Sequence, residues 1–148
     1  MTTSGKVLVV GEAPGPSGSG GAAEGRIGRR LAALSCLRYE DYLERTERVN
    51  ILLRWPGAAG NGSRFPAAKA RRAAGKVLRQ AQGRRMLILG RRAAAALGVG
   101  DSPYFSSVEI PGASFATVVP HPSGINRWWN DPGHVVEAYR FLTWMIGR

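Results

Sequence analysis

The chain has 148 residues, of which 44% are hydrophobic and 21% charged, the balance of a single soluble globular domain with one core. Its one cysteine, Cys36, excludes an internal disulfide and any four-cysteine metal or iron–sulfur site. No apolar run approaches the ~20 residues that a membrane span needs, and no charged-then-apolar leader opens the chain, so the expectation is a cytoplasmic monomer spanning 1–148 without metal or cofactor.

Residues 6–10 (KVLVV) form a short apolar run closed by a glycine, the pattern of a strand buried on both faces. A glycine- and proline-rich loop follows from Gly11 to Gly25. Ile27, Leu31, Leu34 and Leu37 then recur at helical spacing and predict a helix over 26–38. Residues 49–53 read as a second strand, stopped by Trp55-Pro56-Gly57. Pro66 suits the first position of a basic helix reaching about residue 82. A third strand is expected over 86–89, an alanine-rich helix over 91–97, and a fourth strand over 115–119, halted by Pro120. A last helix spans about 132–146, with Val135, Tyr139, Leu142 and Ile146 on one face. Alternating strands and helices predict an α/β fold, a three-layer α/β/α sandwich around a mainly parallel four-stranded sheet. Ligands of such sheets bind beyond the carboxyl ends of the strands.

The net charge of +11 is unevenly placed: from Arg48 to Gly100 there are twelve Lys or Arg residues and no Asp or Glu. A block of one sign is a candidate footprint for a polyanion, nucleic acid first among them. The plainer explanation is a solvated helix face in an arginine-rich composition.

Two segments carry chemistry. In Gly11-Glu12-Ala13-Pro14-Gly15 the glycines allow close backbone approach, and the proline stiffens the turn that presents Glu12. The segment lacks the Lys and Ser/Thr of a phosphate-binding P-loop, and no G-x-G-x-x-G opens a helix directly. In His121-Pro122-Ser123-Gly124 a strand-end histidine can donate a hydrogen bond to a departing anion, and the turn offers backbone N–H groups to a phosphate. A lone histidine is more often structural. The following Ile125-Asn126-Arg127-Trp128-Trp129 sets an apolar wedge beside a cation and two aromatics, which suits insertion into a base stack. The alternative is that Trp128 and Trp129 close the core above the last helix.

With an asparagine on the second strand, GEAPG and HPSG resemble the uracil-DNA glycosylase superfamily. The first motif and residues 87–98 (LILGRRAAAALG) are similar to its heat-stable iron–sulfur branch. Residues 122–127 with 136–140 (VEAYR) are similar to the mismatch-specific uracil/thymine branch, and Gly15-Pro16-Ser17-Gly18 to the single-strand-selective branch. The resemblance implies an enzyme that flips a base out of single- or double-stranded DNA and hydrolyses its bond to deoxyribose. It implies that His121 stabilises the departing base, that Glu12 positions water, and that Asn50 reads the pyrimidine edge. Gly11, Pro14, Gly15, Pro122, Ser123 and Gly124 would cradle DNA phosphates, and Ile125, Asn126 and Arg127 would enter the minor groove. Two positions depart from the pattern. Ala13 stands where strongly active branches carry Asp or Asn, and Arg26 where a base-stacking Phe is usual, so both are assigned to the base pocket and point to a modified pyrimidine. The iron–sulfur cluster is excluded by the cysteine count. The alternatives are a catalytically weak DNA-binding or damage-sensing module with the same fold, which Ala13 favours, and a nucleotide-binding α/β protein with a basic surface.

Overall fold

The computed structural model describes residues 5–14, 24–58, 64–123 and 126–147. Its centre is a sheet of four parallel strands, β1 (Val7–Gly11), β2 (Thr46–Asn50), β3 (Arg85–Leu89) and β4 (Phe115–Val119), in the order β2-β1-β3-β4. Parallel strands require crossovers, and the helices that make them cover both faces. On one face α3 (Ala67–Gln80) and α4 (Arg91–Ala96) pack through Ala70, Ala74, Val77, Ala93 and Ala94 against Leu8, Val10, Met86, Ile88 and Val118. The small helix side chains bring both helices close to the strands. On the other face α1 (Gly25–Leu34), α2 (Tyr39–Arg45) and α5 (Pro132–Met145) bury Leu31, Tyr42, Leu142 and Met145 against Val7, Val9, Leu87 and Leu89. The result is the three-layer α/β/α sandwich expected from the alternating pattern. No helix among the described residues is long and apolar enough to cross a membrane.

Three local expectations are corrected. The first helix ends at Leu34, not at 38, because Cys36 adopts a left-handed φ of 58° and Leu37 N–H turns back to the Ala32 carbonyl. The second strand lies at Thr46–Asn50 rather than 49–53. As a sheet edge it tolerates polar residues: Arg48 pairs with Glu24, and Arg84 pairs with Glu47 across the sheet. The apolar Ile51 and Leu52 that drew the expectation are buried just beyond the strand, donating their N–H groups to the carbonyls of Gly11 and Glu12. The short α2, with only Tyr42 fully buried, was not expected at all. A 3-10 helix, Arg127–Asn130, likewise interrupts the run into α5.

The topology fixes where a site can form. From β1 the chain moves to β2 on one side, then returns to β3 on the other side of β1. The connections therefore diverge at the carboxyl ends of β1 and β3, the place where open α/β sheets have their ligand crevice.

Candidate functional site

Glu12 follows β1 directly, Gly90 follows β3, and His121 stands two residues after β4, so all three sit on the carboxyl edge at the divergence point. Gly90 has a φ of 91°, a conformation that L side chains avoid, and its N–H donates to the Val119 carbonyl at 2.8 Å. A Cβ on Gly90 would lie 3.3 Å from Glu12 Oε2, 3.1 Å from His121 Cβ and 3.6 Å from His121 Cδ2. The missing side chain thus makes the space in which the carboxylate and the imidazole converge.

The two groups are held differently. Glu12, whose side chain is only 11% exposed, is gripped in a two-point ion pair by Arg92 of α4, with Nη2 at 2.6 Å from Oε1 and Nε at 3.3 Å from Oε2. Arg92 also lies over the Phe65 ring, 5.3 Å from its centroid. His121 is held by its backbone. Its carbonyl accepts from Asn126 Nδ2 at 3.0 Å and from Trp129 Nε1 at 2.9 Å. Neither ring nitrogen has a hydrogen-bond partner among the described residues, which leaves both for a ligand. Burial pushes the imidazole pKa below its usual 6.5; Glu12 opposes the shift and Arg92 adds to it. At neutral pH His121 is therefore an uncharged ring that can donate from one nitrogen and accept at the other.

The remaining expected residues divide between the crevice and its frame. Asn50 ends β2 in register with Gly11, beside the crevice, and its carboxamide makes no hydrogen bond to a described residue. Gly11 and Pro122 are buried in the edge, with Pro14 and Ser123 half-buried. Ala13 directs its methyl into the core beneath α3 and α4, and Arg26 is exposed on the first turn of α1. Asn126 serves as a cap: its Oδ1 accepts from Trp128 N–H while its amide clamps the His121 carbonyl. Trp129 is buried in the core beside α5, and Trp128 stacks on His134 at 4.4 Å between ring centres. Trp129 is thus part of the core, and Trp128 packs half-buried against it. Arg127 is exposed on the 3-10 helix. Gly15, Gly124 and Ile125 lie outside the described residues, as does the 15–18 segment. Arg92 was not anticipated from the sequence.

No group of three or more His, Cys, Asp or Glu side chains among the described residues is arranged to hold a metal ion. No protein-family model matches the sequence, and a search of curated proteins returns no match.

Proposed function

We propose that the chain is a DNA glycosylase that hydrolyses the bond between a flipped-out uracil-type or modified pyrimidine and deoxyribose, leaving an abasic site. The observation that carries this reading is the convergence of Glu12 and a neutral His121 around the bare Cα of Gly90. In such a reaction the C1′–N bond breaks, its electron pair leaves with the base, and the sugar passes through an oxocarbenium-like state. The neutral imidazole of His121 donates a hydrogen bond to the base oxygen as negative charge grows there, an interaction commonly contributing ~100-fold or more. Glu12 accepts a hydrogen bond from the water that adds to C1′, and the water's proton passes to solvent. Asn50, with a free donor and acceptor, can read the pyrimidine edge.

A binding-only reading has one observation of its own. Arg92 already compensates the Glu12 charge, which suits a structural carboxylate as well as a water-positioning one. One experiment separates the two. Labelled single strands and duplexes containing uracil, mismatched thymine or 5-substituted pyrimidines are incubated with the protein and then treated with alkali. Strand breaks with the wild type, lost in His121→Ala while oligonucleotide binding persists, support the glycosylase. Binding without breaks across the whole panel supports the binding module.

A further inference from the structure

We infer that the groove between α3 and the segment following β2 is a binding track for single-stranded nucleic acid, separate from the crevice at Gly90. The groove has a volume of about 580 Å³, and its walls carry Arg54, Trp55, Lys69, Arg72, Lys76 and Arg79. Four of the cations recur along α3 at spacings of three and four residues, which places them on one helix face over ~15 Å.

The basic block of the sequence divides here into two populations. Arg48, Arg84 and Arg92 are each neutralised by an acid, Glu24, Glu47 and Glu12 respectively. The five groove cations form no ion pair among the described residues, and no acidic side chain lines the groove. A row of unpaired cations repels itself and is stabilised by a polyanion.

One feature selects a single nucleotide strand from among polyanions, and two more describe the track it would follow. Trp55 is 37% exposed within the cationic wall and offers a flat face for stacking. Duplex bases stack on one another and present no such face, whereas unpaired bases do. Gly75 sits mid-helix on the groove lining, where glycine costs the helix about 1 kcal/mol relative to alanine. Among the described residues a Cβ there would meet only the tip of Arg79, at 3.6 Å. Its effect is to leave the groove open. Finally, Leu52 in the groove wall donates its N–H to the Glu12 carbonyl at 2.9 Å. The track therefore starts at the carboxyl edge and runs down α3 toward the opposite edge.

The test uses fluorescence anisotropy of a labelled twelve-nucleotide oligo-dA with the full chain, a strand that holds no pyrimidine for the site at Gly90. Wild type should bind with a log–log salt slope of about −3, as expected when four to five phosphates are contacted by a single strand. Trp55→Ala should weaken binding about tenfold or more, with Trp55→Phe recovering part of the loss. Lys69→Gln/Lys76→Gln should flatten the slope by about 1.4, and Gly75→Leu should block binding while the melting temperature stays at or above that of wild type. The exposed Lys69 and Lys76 supply a readout even if a Trp55 variant folds poorly. His121→Ala should bind as wild type does, so loss of glycosylase activity and loss of strand binding are read separately. Equal binding by the Lys69/Lys76 variant, tighter binding of the matching duplex, or competition by polyglutamate as effective as by unlabelled strand would each overturn the inference.

Discussion

Replacing Gly90 by alanine tests the convergence on which the candidate site rests. The backbone there has a φ of 91° and a ψ of 163°, a region used almost only by glycine that costs an L residue about 1–3 kcal/mol. The new methyl would also press on His121 Cβ at 3.1 Å and on Glu12 Oε2 at 3.3 Å. Neither neighbour yields easily. The His121 backbone is fixed by the hydrogen bonds from Asn126 and Trp129, and Glu12 is fixed by Arg92. Overpacking of this kind adds about 1 kcal/mol or more, so Gly90→Ala should destabilise by about 2–4 kcal/mol in total. For a chain of this length that corresponds to a fall in melting temperature of about 4–16 °C. Gly98 supplies the control: its φ is 87°, yet a Cβ there meets nothing within 4 Å. Gly98→Ala therefore carries the backbone cost alone, about 1–2 kcal/mol. Thermal melts followed by circular dichroism compare the two. Equal shifts for Gly90→Ala and Gly98→Ala would refute the close approach of Glu12 and His121 to Gly90.

The depressed pKa of His121 makes the fold pH-sensitive in a defined direction. As pH falls below 6.5 the unfolded chain takes up the proton first, so stability present above 6.5 is lost as pH falls toward the folded value. Urea midpoints between pH 8 and pH 5 should fall less steeply in His121→Gln than in wild type. Asn126→Ala removes both the cap on the 3-10 helix and the clamp on the His121 carbonyl, and should cost about 1–2 kcal/mol. An unchanged urea midpoint alongside weakened DNA binding would instead support the minor-groove role. Under the glycosylase reading, His121→Ala should lower the single-turnover cleavage rate more than Glu12→Ala does, because the Glu12 charge is already compensated by Arg92. The reverse ranking would mean that the bound substrate releases Glu12 from Arg92.

The strands that lie at the middle of the sheet were legible because burial on both faces leaves an uninterrupted apolar run, as at Val7–Val10 and Met86–Leu89. Of the two edge strands, β4 was legible by its apolar run and β2 was not. β2 carries Glu47 and Arg48, whose charges are satisfied by partners 37 and 24 residues away, and no local pattern records those partners. The helix boundary at Leu34 was hidden for a related reason. Leu37 keeps the helical spacing and still packs against the core, yet it does so from beyond a left-handed turn at Cys36 that hydrophobic periodicity does not register.

For the candidate site, local sequence located the strand-end segments but not the state of their side chains. Glu12 and His121 were identifiable because the first directly follows a buried strand and the second follows another after Pro120, and parallel strands bring their carboxyl ends to one edge. Arg92 was hidden within a basic block whose cations look alike in sequence. Its difference from Lys69 or Arg72 arises only when β1 and β3 become neighbours, which brings the first turn of α4 over the turn after β1. The same pairing explains Gly90. It reads as an ordinary strand-to-helix glycine until β4 places His121 against it. Ala13 illustrates the converse. As a substitution in a motif it suggested a weakened enzyme, but its methyl packs into the core beneath α3 and α4. The half-buried methyl lies against that core, and the carboxylate held by Arg92 beside His121 and Gly90 is that of the neighbouring Glu12.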